Sequence, residues 1–310
     1  TSPNYLLLDL AEKGIFPAKP WPGMNLANIC CPGTTRSVFD WLADGRHHFT
    51  HPVHYLNSEL PDPDNSISFP KSISAHVHAY GTDGLLDIVN PLLESSCPID
   101  VYITTDSEAK LEIIRAALPG KLDHVHLIVT PNRGRDIGPF LLGLPDEFWI
   151  SEVIGHFHVK GSHHLDQEMT RQWKEFIKTH LYSGETVLHQ IMSLFVRDSS
   201  LGLLFAEDPC QIGWTKNGLE AQQLAQRIGV EIDLDRAPTF PIGNMFWARS
   251  RAFLPLRNLQ LSWDDMPKEP LPSDGSMLHA LERLTPSICE RAGLHWATVR
   301  YPYAERYTSD

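Results

Sequence analysis

Between Ile73 and Lys160, strand-like and helix-like segments take turns, and that alternation limits the fold more than any other feature of the chain. ISAHVHAY (Ile73 to Tyr80) alternates with the period of a strand. LLDIVNPLLES (Leu85 to Ser95) has helical spacing, with Pro91 as a kink. IDVYITTD (Ile99 to Asp106) is a β-branched strand. Ser107 then caps a helix over EAKLEIIRAAL, which Pro119-Gly120 stops. HVHLIVT (His124 to Thr130) is a third strand, DIGPFLLGL opens a helix or helical turn, and EVIGHFHVK (Glu152 to Lys160) is a fourth strand. Strands alternating with helices at this spacing make βαβ units. The expected fold class is therefore α/β, with a mostly parallel or mixed sheet flanked by helices.

The remaining chain is less regular. Helices are expected at Asp166 to Tyr182, Glu185 to Arg197, Leu219 to Ile228 and Ser276 to Ala292. Strands are expected at Leu201 to Asp208, in the apolar run FPIGNMFWARS (Phe240 to Ser250), and in HWATVRY. Ahead of the alternation, Pro17, Pro20, Pro22 and Pro32 favour irregular chain with one short helix at Ser37 to Ala43, and NSELPDPDNSISFPK (Asn57 to Lys71) reads as a linker. The expected organisation is an N-terminal extension and linker over residues 1–70 and one α/β domain over 71–310.

Composition excludes several classes. Of 310 residues, 42% are hydrophobic and 21% charged, which rules out a disordered or fibrous chain. The 26 Lys+Arg against 38 Asp+Glu leave a formal charge of −12, which argues against nucleic acid and anionic membrane as partners. No apolar run reaches membrane-spanning length and no leader-like segment opens the chain. It begins TSPNYLLLDL without Met, as a mature cytosolic protein or an excised piece of a longer one would. Five scattered cysteines without a CxxC encode neither a disulfide framework nor a structural zinc site, so a reducing compartment is expected.

Ligands of open α/β sheets bind beyond the carboxyl ends of the strands, and the residues expected there carry the chemistry. The first strand ends in His78 and Tyr80, and the second in TTDS, with Thr104 and Asp106. The third ends in PNRGRDIG, with Asn132, Arg133, Gly134, Arg135 and Asp136, and the fourth in HVKGSHH, with His158, Lys160, Ser162, His163 and His164. In NRGRDIG, two arginines flank a glycine that lets backbone approach a ligand, and Arg forks match phosphate oxygens. The plainer alternative is a turn capped by Asp136 with solvated arginines. His76/His78, His124/His126 and His156/His158 each put two imidazoles on one strand face about 7 Å apart, which suits a metal or simply a buried strand position. Glu207, Asp208 and Trp214 combine carboxylates with an indole, as a sugar site does, or as a cap and surface turn do. Gly243-Asn244 inside an apolar run, beside Trp247, reads as a bulge facing a ligand or as core packing.

AHVHAY, VYITTDS, PNRGRDIGPFL, HVKGSHH with Trp173, GLLFAEDP, FPIGNMFWAR and HALERLTPSICERAG together resemble the rhamnan synthesis protein F family, in consistent order over about residues 70 to 300. These are glycosyltransferase-like proteins of bacterial surface polysaccharide assembly. The resemblance implies transfer of a sugar from a nucleotide donor, dTDP-rhamnose or a UDP-sugar such as UDP-xylose, on a GT-A-like fold. A non-catalytic glycan-binding or scaffold domain is the alternative, and a His-rich metal hydrolase a third class. By analogy His78, Tyr80, Thr104 and Asp106 lie on the nucleotide side, and Asn132 to Asp136 along the donor. Trp214, Gly243, Asn244 and Trp247 lie on the sugar or acceptor side. Asp136, Glu207 and Asp208 are the candidate catalytic carboxylates. Many GT-A enzymes hold a divalent cation with Asp-x-Asp at the fourth strand end, where this chain has His158-Val159-Lys160. Lys160 with Arg133 or Arg135 would then neutralise the leaving diphosphate without metal. The alternative is a divalent ion on Asp106, Glu207 or Asp208. The implied partners are the donor, a polysaccharide or lipid-linked acceptor, and further domains or membrane-associated assembly proteins. The implied location is the cytoplasm, at the inner membrane face.

Overall fold

The expected strands assemble into one mixed sheet in the computed structural model, which describes residues 52–56, 69–118, 120, 123–159, 167–206 and 213–300. The expected helix at Ser37 to Ala43, most of the Asn57 to Lys71 linker, Lys160, Ser162, His163, His164, Glu207 and Asp208 lie outside the described residues. The strands are β1 (Val53–Tyr55), β2 (Ile73–His78), β3 (Ile99–Thr105), β4 (Val125–Val129), β5 (Val153–His158), β6 (Leu201–Ala206), β7 (Phe246–Arg249) and β8 (His295–Arg300). Their order across the sheet is β1-β8-β6-β7-β5-β2-β3-β4. All neighbours are parallel except β7, which runs antiparallel to both β5 and β6. The short β1 precedes the expected domain start yet pairs with β8 at the sheet edge.

Helices cover both faces, so the central strands are buried on both sides along nearly their whole length. On one face, α1 (Leu85–Glu94), α2 (Glu108–Ala117), α5 (Gln167–Leu181) and α6 (Glu185–Arg197) pack on Ile73, Ala75, Val77 and Trp247. In α1 the buried residues are Leu85, Ile88, Val89 and Leu92, one stripe at helical spacing. Ser107 caps α2 as expected, its hydroxyl accepting from the Lys110 amide at 3.4 Å. On the other face lie α3 (Ile137–Leu142), α4 (Asp146–Trp149), α7 (Gly218–Ile228) and α9 (Met277–Arg291), with Phe140, Phe148, Ile154 and Phe246 at the centre. A short α8 (Leu254–Arg257) follows β7 after one 3₁₀ turn. Among the described residues, no helix is long and apolar enough to cross a membrane.

Two topological facts position the site. The chain runs outward from β2 to β3 and β4, then crosses back to place β5 on the other side of β2. Strand order therefore reverses between β2 and β5, and the position beyond the carboxyl ends there is where open α/β sheets form their ligand crevice. Second, FPIGNMFWARS is not one strand with a bulge. Pro241 to Asn244 form a turn, the Asn244 amide donating to the Pro241 carbonyl at 2.7 Å, and only Phe246–Arg249 is strand. Because β7 is antiparallel, that turn is delivered to the same edge, beside the end of β5.

Candidate functional site

The turn after β4 aims Asp136 into the crevice. Gly134 (φ 74) and Arg135 (φ 51) both take left-handed backbone, and a Cβ on Gly134 would stand 2.9 Å from Gly138 Cα. A Cβ on Gly138 would in turn run into the Arg133 carbonyl oxygen. Two glycines thus let the turn close against the start of α3. Asp136 occupies the N-cap position of α3 but makes no side-chain cap bond. Its Oδ2 instead accepts from His156 Nε2 at 3.1 Å and from Asn244 Nδ2 at 2.9 Å. Its side chain is only 15% exposed.

His156 begins a run of buried side chains. Its Nδ1 lies 2.9 Å from His76 Nδ1, across the register that pairs β2 with β5. His76 Nε2 lies 2.8 Å from Thr104 Oγ1, and Thr104 Oγ1 lies 2.9 Å from His78 Nδ1. The His76 and His156 rings stack at 5.0 Å, and Phe140 stacks on His76 at 5.9 Å and lies tilted against His156 at 4.4 Å. His158 Nε2 donates to the Gly243 carbonyl at 2.7 Å, while the Gly243 amide donates to Glu282 Oε1 on α9 at 2.6 Å. Gly243 is thus held at both its amide and its carbonyl.

Burial decides the charge states. Dehydration in this apolar shell lowers the pKa of His76 well below the usual histidine value, with the neighbouring His156 and His78 adding to the effect. Burial likewise lowers His78, to about 4, and lowers His156 against the opposing pull of Asp136. For Asp136, burial alone would raise the pKa. The His158 charge, the His156 and Asn244 hydrogen bonds and the His156 charge together outweigh it and hold the carboxyl well below its ordinary range. Burial thus favours the neutral form of His76, His78 and His156, while its polar contacts favour the ionised form of Asp136.

Six of the expected site residues meet here: His78, Thr104, Asp136, His158, Gly243 and Asn244. Tyr80 and Asp106 sit on the rim. Tyr80 is 50% exposed, with Lys110 Nζ 3.9 Å from its ring centroid, and Lys110 pairs with Asp106 at 2.7 Å. Asn132 is exposed on the turn. Both arginines face away toward the 264–272 loop. Arg133 donates to Asp264 Oδ1 at 2.9 Å and the Met266 carbonyl at 3.2 Å, and Arg135 to the Leu271 and Pro272 carbonyls at 3.3 and 3.0 Å, with Glu269 at 3.5 Å. Trp214 is tied by its indole to the Asp233 and Arg236 carbonyls. Trp247 is wholly buried on the opposite sheet face, donating to the Leu181 carbonyl. His124 pairs with Asp100 and His126 stacks on Tyr102, away from the crevice. Among the described residues, no group of three or more His, Cys, Asp and Glu is arranged to hold a metal ion.

His76, His156 and Glu282 complete the site without having been singled out for it. His76 and His156 carried a signal as same-face pairs with His78 and His158. Glu282 lies among ordinary helical residues and carried none.

The family model for rhamnan synthesis protein F matches residues 47–292. The chain is also 29% identical over 272 residues to the uncharacterized protein WxcX from two strains of Xanthomonas campestris pv. campestris. That match covers 85% of this chain but 36% of each relative, so the chain spans about a third of the curated relatives it resembles. A match over most of the chain shows that this chain belongs to the rhamnan synthesis protein F family.

Proposed function

We propose that the chain is a glycosyltransferase domain with a GT-A-like core. It moves a sugar from a nucleotide donor, dTDP-rhamnose or a UDP-sugar such as UDP-xylose, to a growing bacterial surface glycan. The observation that carries this reading is the Asp136 carboxylate, hydrogen-bonded by His156 and Asn244, at the strand-order reversal where open α/β sheets receive their ligands. Among the described residues both hydrogen bonds to Asp136 fall on Oδ2. Oδ1 is left to orient a donor hydroxyl or to face the positive charge that grows on the anomeric carbon as the diphosphate leaves. A carboxylate held so far below neutral pH acts as a fixed charge in a dehydrated crevice, where such charges stabilise a transition state best.

In this proposal Tyr80 and Asp106 flank the nucleotide, and the pinned Gly243-Asn244 turn lines the sugar. Glu207 and Asp208, which follow β6 in the chain, are the further candidate catalytic carboxylates. The arginines already answer to Asp264 and Glu269, so the counter-charge for the diphosphate falls first to Lys160. Donors of this kind are cytoplasmic, and lipid-linked acceptors would bring the domain to the inner membrane face, with further domains or assembly proteins supplying attachment.

A panel of nucleotide sugars scored for thermal stabilisation and donor turnover tests the reading. One UDP- or dTDP-sugar should stabilise the protein and be consumed, and Asp136→Asn should bind that donor without turning it over. A protein that ignores UDP, dTDP and their sugars but binds the polysaccharide would be the non-catalytic glycan-binding domain instead.

A further inference from the structure

With Asp136 ionised and His156 neutral, as burial and the contacts of the cluster favour, the hydrogen bonds running from Asp136 to His78 fix one proton arrangement. An ionised carboxylate only accepts, so His156 Nε2 carries the proton that reaches Asp136 Oδ2. A neutral His156 then has a lone pair on Nδ1, so the 2.9 Å contact requires the proton on His76 Nδ1. His76 Nε2 is thereby an acceptor, and the Thr104 hydroxyl must donate to it. With its one proton spent, Thr104 Oγ1 accepts from His78, so the His78 proton sits on Nδ1. His78 Nε2 is left with a lone pair on the last residue of β2, at the carboxyl end of the strand.

We propose that His78, Thr104, His76, His156 and Asp136 form a one-way proton relay, and that His78 Nε2 is the base that takes the proton of the attacking acceptor hydroxyl. This rests on the transferase reading and names the base within it. As the acceptor oxygen bonds to the anomeric carbon, the bond from that carbon to the diphosphate oxygen breaks and the diphosphate leaves with the electron pair. The hydroxyl proton goes to His78 Nε2. His78 Nδ1 passes its proton to Thr104, Thr104 passes its own to His76 Nε2, and His76 Nδ1 passes its proton to His156 Nδ1. The net result is an imidazolium at His156 in contact with the Asp136 carboxylate, and three groups turned to their opposite donor sense. Charge that would be costly on His78 thus comes to rest as a hydrogen-bonded ion pair. His76, Thr104 and His156 are positioning residues in this scheme. The arrangement also accounts for three imidazoles packed in one dry cluster, where any single one would be better replaced by a hydrocarbon.

Nitrogen-15 NMR of the histidine side chains in the unliganded protein at neutral pH tests the relay apart from any activity. His78 and His76 should carry the proton on Nδ1 and His156 on Nε2. Finding His78 protonated on Nε2, or His156 on Nδ1, overturns the relay. Thr104→Val removes the hydroxyl at nearly constant shape. It should lower kcat for transfer by about 10²-fold or more, within the range for positioned proton transfer, and leave the donor's KM unchanged. Thr104→Ser should restore both turnover and the wild-type tautomers. Wild-type turnover in Thr104→Val overturns the proposal, and if that variant does not fold, the wild-type tautomers decide. If no nucleotide sugar is bound or consumed, the transferase reading and the base role of His78 fall together. A tautomer pattern of the expected kind would then still stand for the relay itself.

Discussion

Replacing Asp136 by Asn and by Ala separates what its shape does from what its charge does. In Asp136→Asn the amide oxygen can take the place of Oδ2, so His156 Nε2–H and Asn244 Nδ2–H each keep an acceptor. What is lost is charge assistance, roughly 1 kcal/mol per bond if a charged bond contributes about 1.5–3 and a neutral one about 0.5–1.5 kcal/mol. Relief from dehydrating a carboxylate offsets part of that, so the net cost is about 0–2 kcal/mol. Asp136→Ala orphans both donors in a buried cluster, at about 1–3 kcal/mol each, or about 2–6 kcal/mol together. At about 2–4 °C per kcal/mol, the Ala variant should melt roughly 5–15 °C below the Asn variant. Both should lose donor turnover by two or more orders of magnitude, as expected when a positioned charge is removed. Differential scanning fluorimetry with a donor-consumption assay reads both quantities. Equal stability of the two variants would show that the carboxylate does not hold the imidazoles. Near-normal turnover in Asp136→Asn would reduce Asp136 to a structural anchor and refute the reasoning.

The buried histidines make stability fall in mild acid. The unfolded chain takes up its histidine protons near pH 6.5, whereas folded His78 resists until about 4, so between these values the unfolded state binds more protons and stability drops as pH falls. For His78 the full loss is about 3 kcal/mol, with His76 and His156 acting in the same direction. Urea midpoints should fall from pH 7 to pH 4.5, and His78→Gln should flatten that slope; a flat wild-type profile would count against neutral buried imidazoles. Transfer should persist in excess EDTA, since His158 to His164 contain no carboxylate, and Lys160→Ala should lower turnover by about two orders of magnitude. Activity lost in EDTA and restored by manganese or magnesium would place a metal on Asp106, Glu207 or Asp208 instead. Gly155→Ala should cost about 1–3 kcal/mol, the usual penalty for overpacking. The new methyl would stand 2.7 Å from Phe157 Cε2 and 2.8 Å from Trp247 Cζ3, so an unchanged melting temperature would show that the rings can part.

Most of the elements were legible in the sequence because their signals are local. β2, β3, β4 and β5 lie within the segments expected from their alternation, and α6 spans Glu185–Arg197 as its spacing predicts. Ser107 caps α2 because a hydroxyl three residues before an amide is a near-neighbour affair. The carboxyl-end placement of His78, Thr104, Asp136 and His158 followed from the parallel sheet alone. What the sequence could not determine is which strands touch. That His76 faces His156 depends on β5 returning to the far side of β2, a choice settled by how the helices cover the two faces, about 80 residues apart in the chain. The antiparallel run of β7, and with it the arrival of Gly243 and Asn244 beside His158, is a pairing decision of the same kind. The same holds for Asp136. By sequence it is equally a helix cap, and it becomes the centre of the site only because folding brings an imidazole N–H and an amide N–H within reach, and these charge-assisted bonds outcompete the local cap. Period and capping are properties of a few consecutive residues. The chemistry of the crevice is a property of strand order, which only the folded chain possesses.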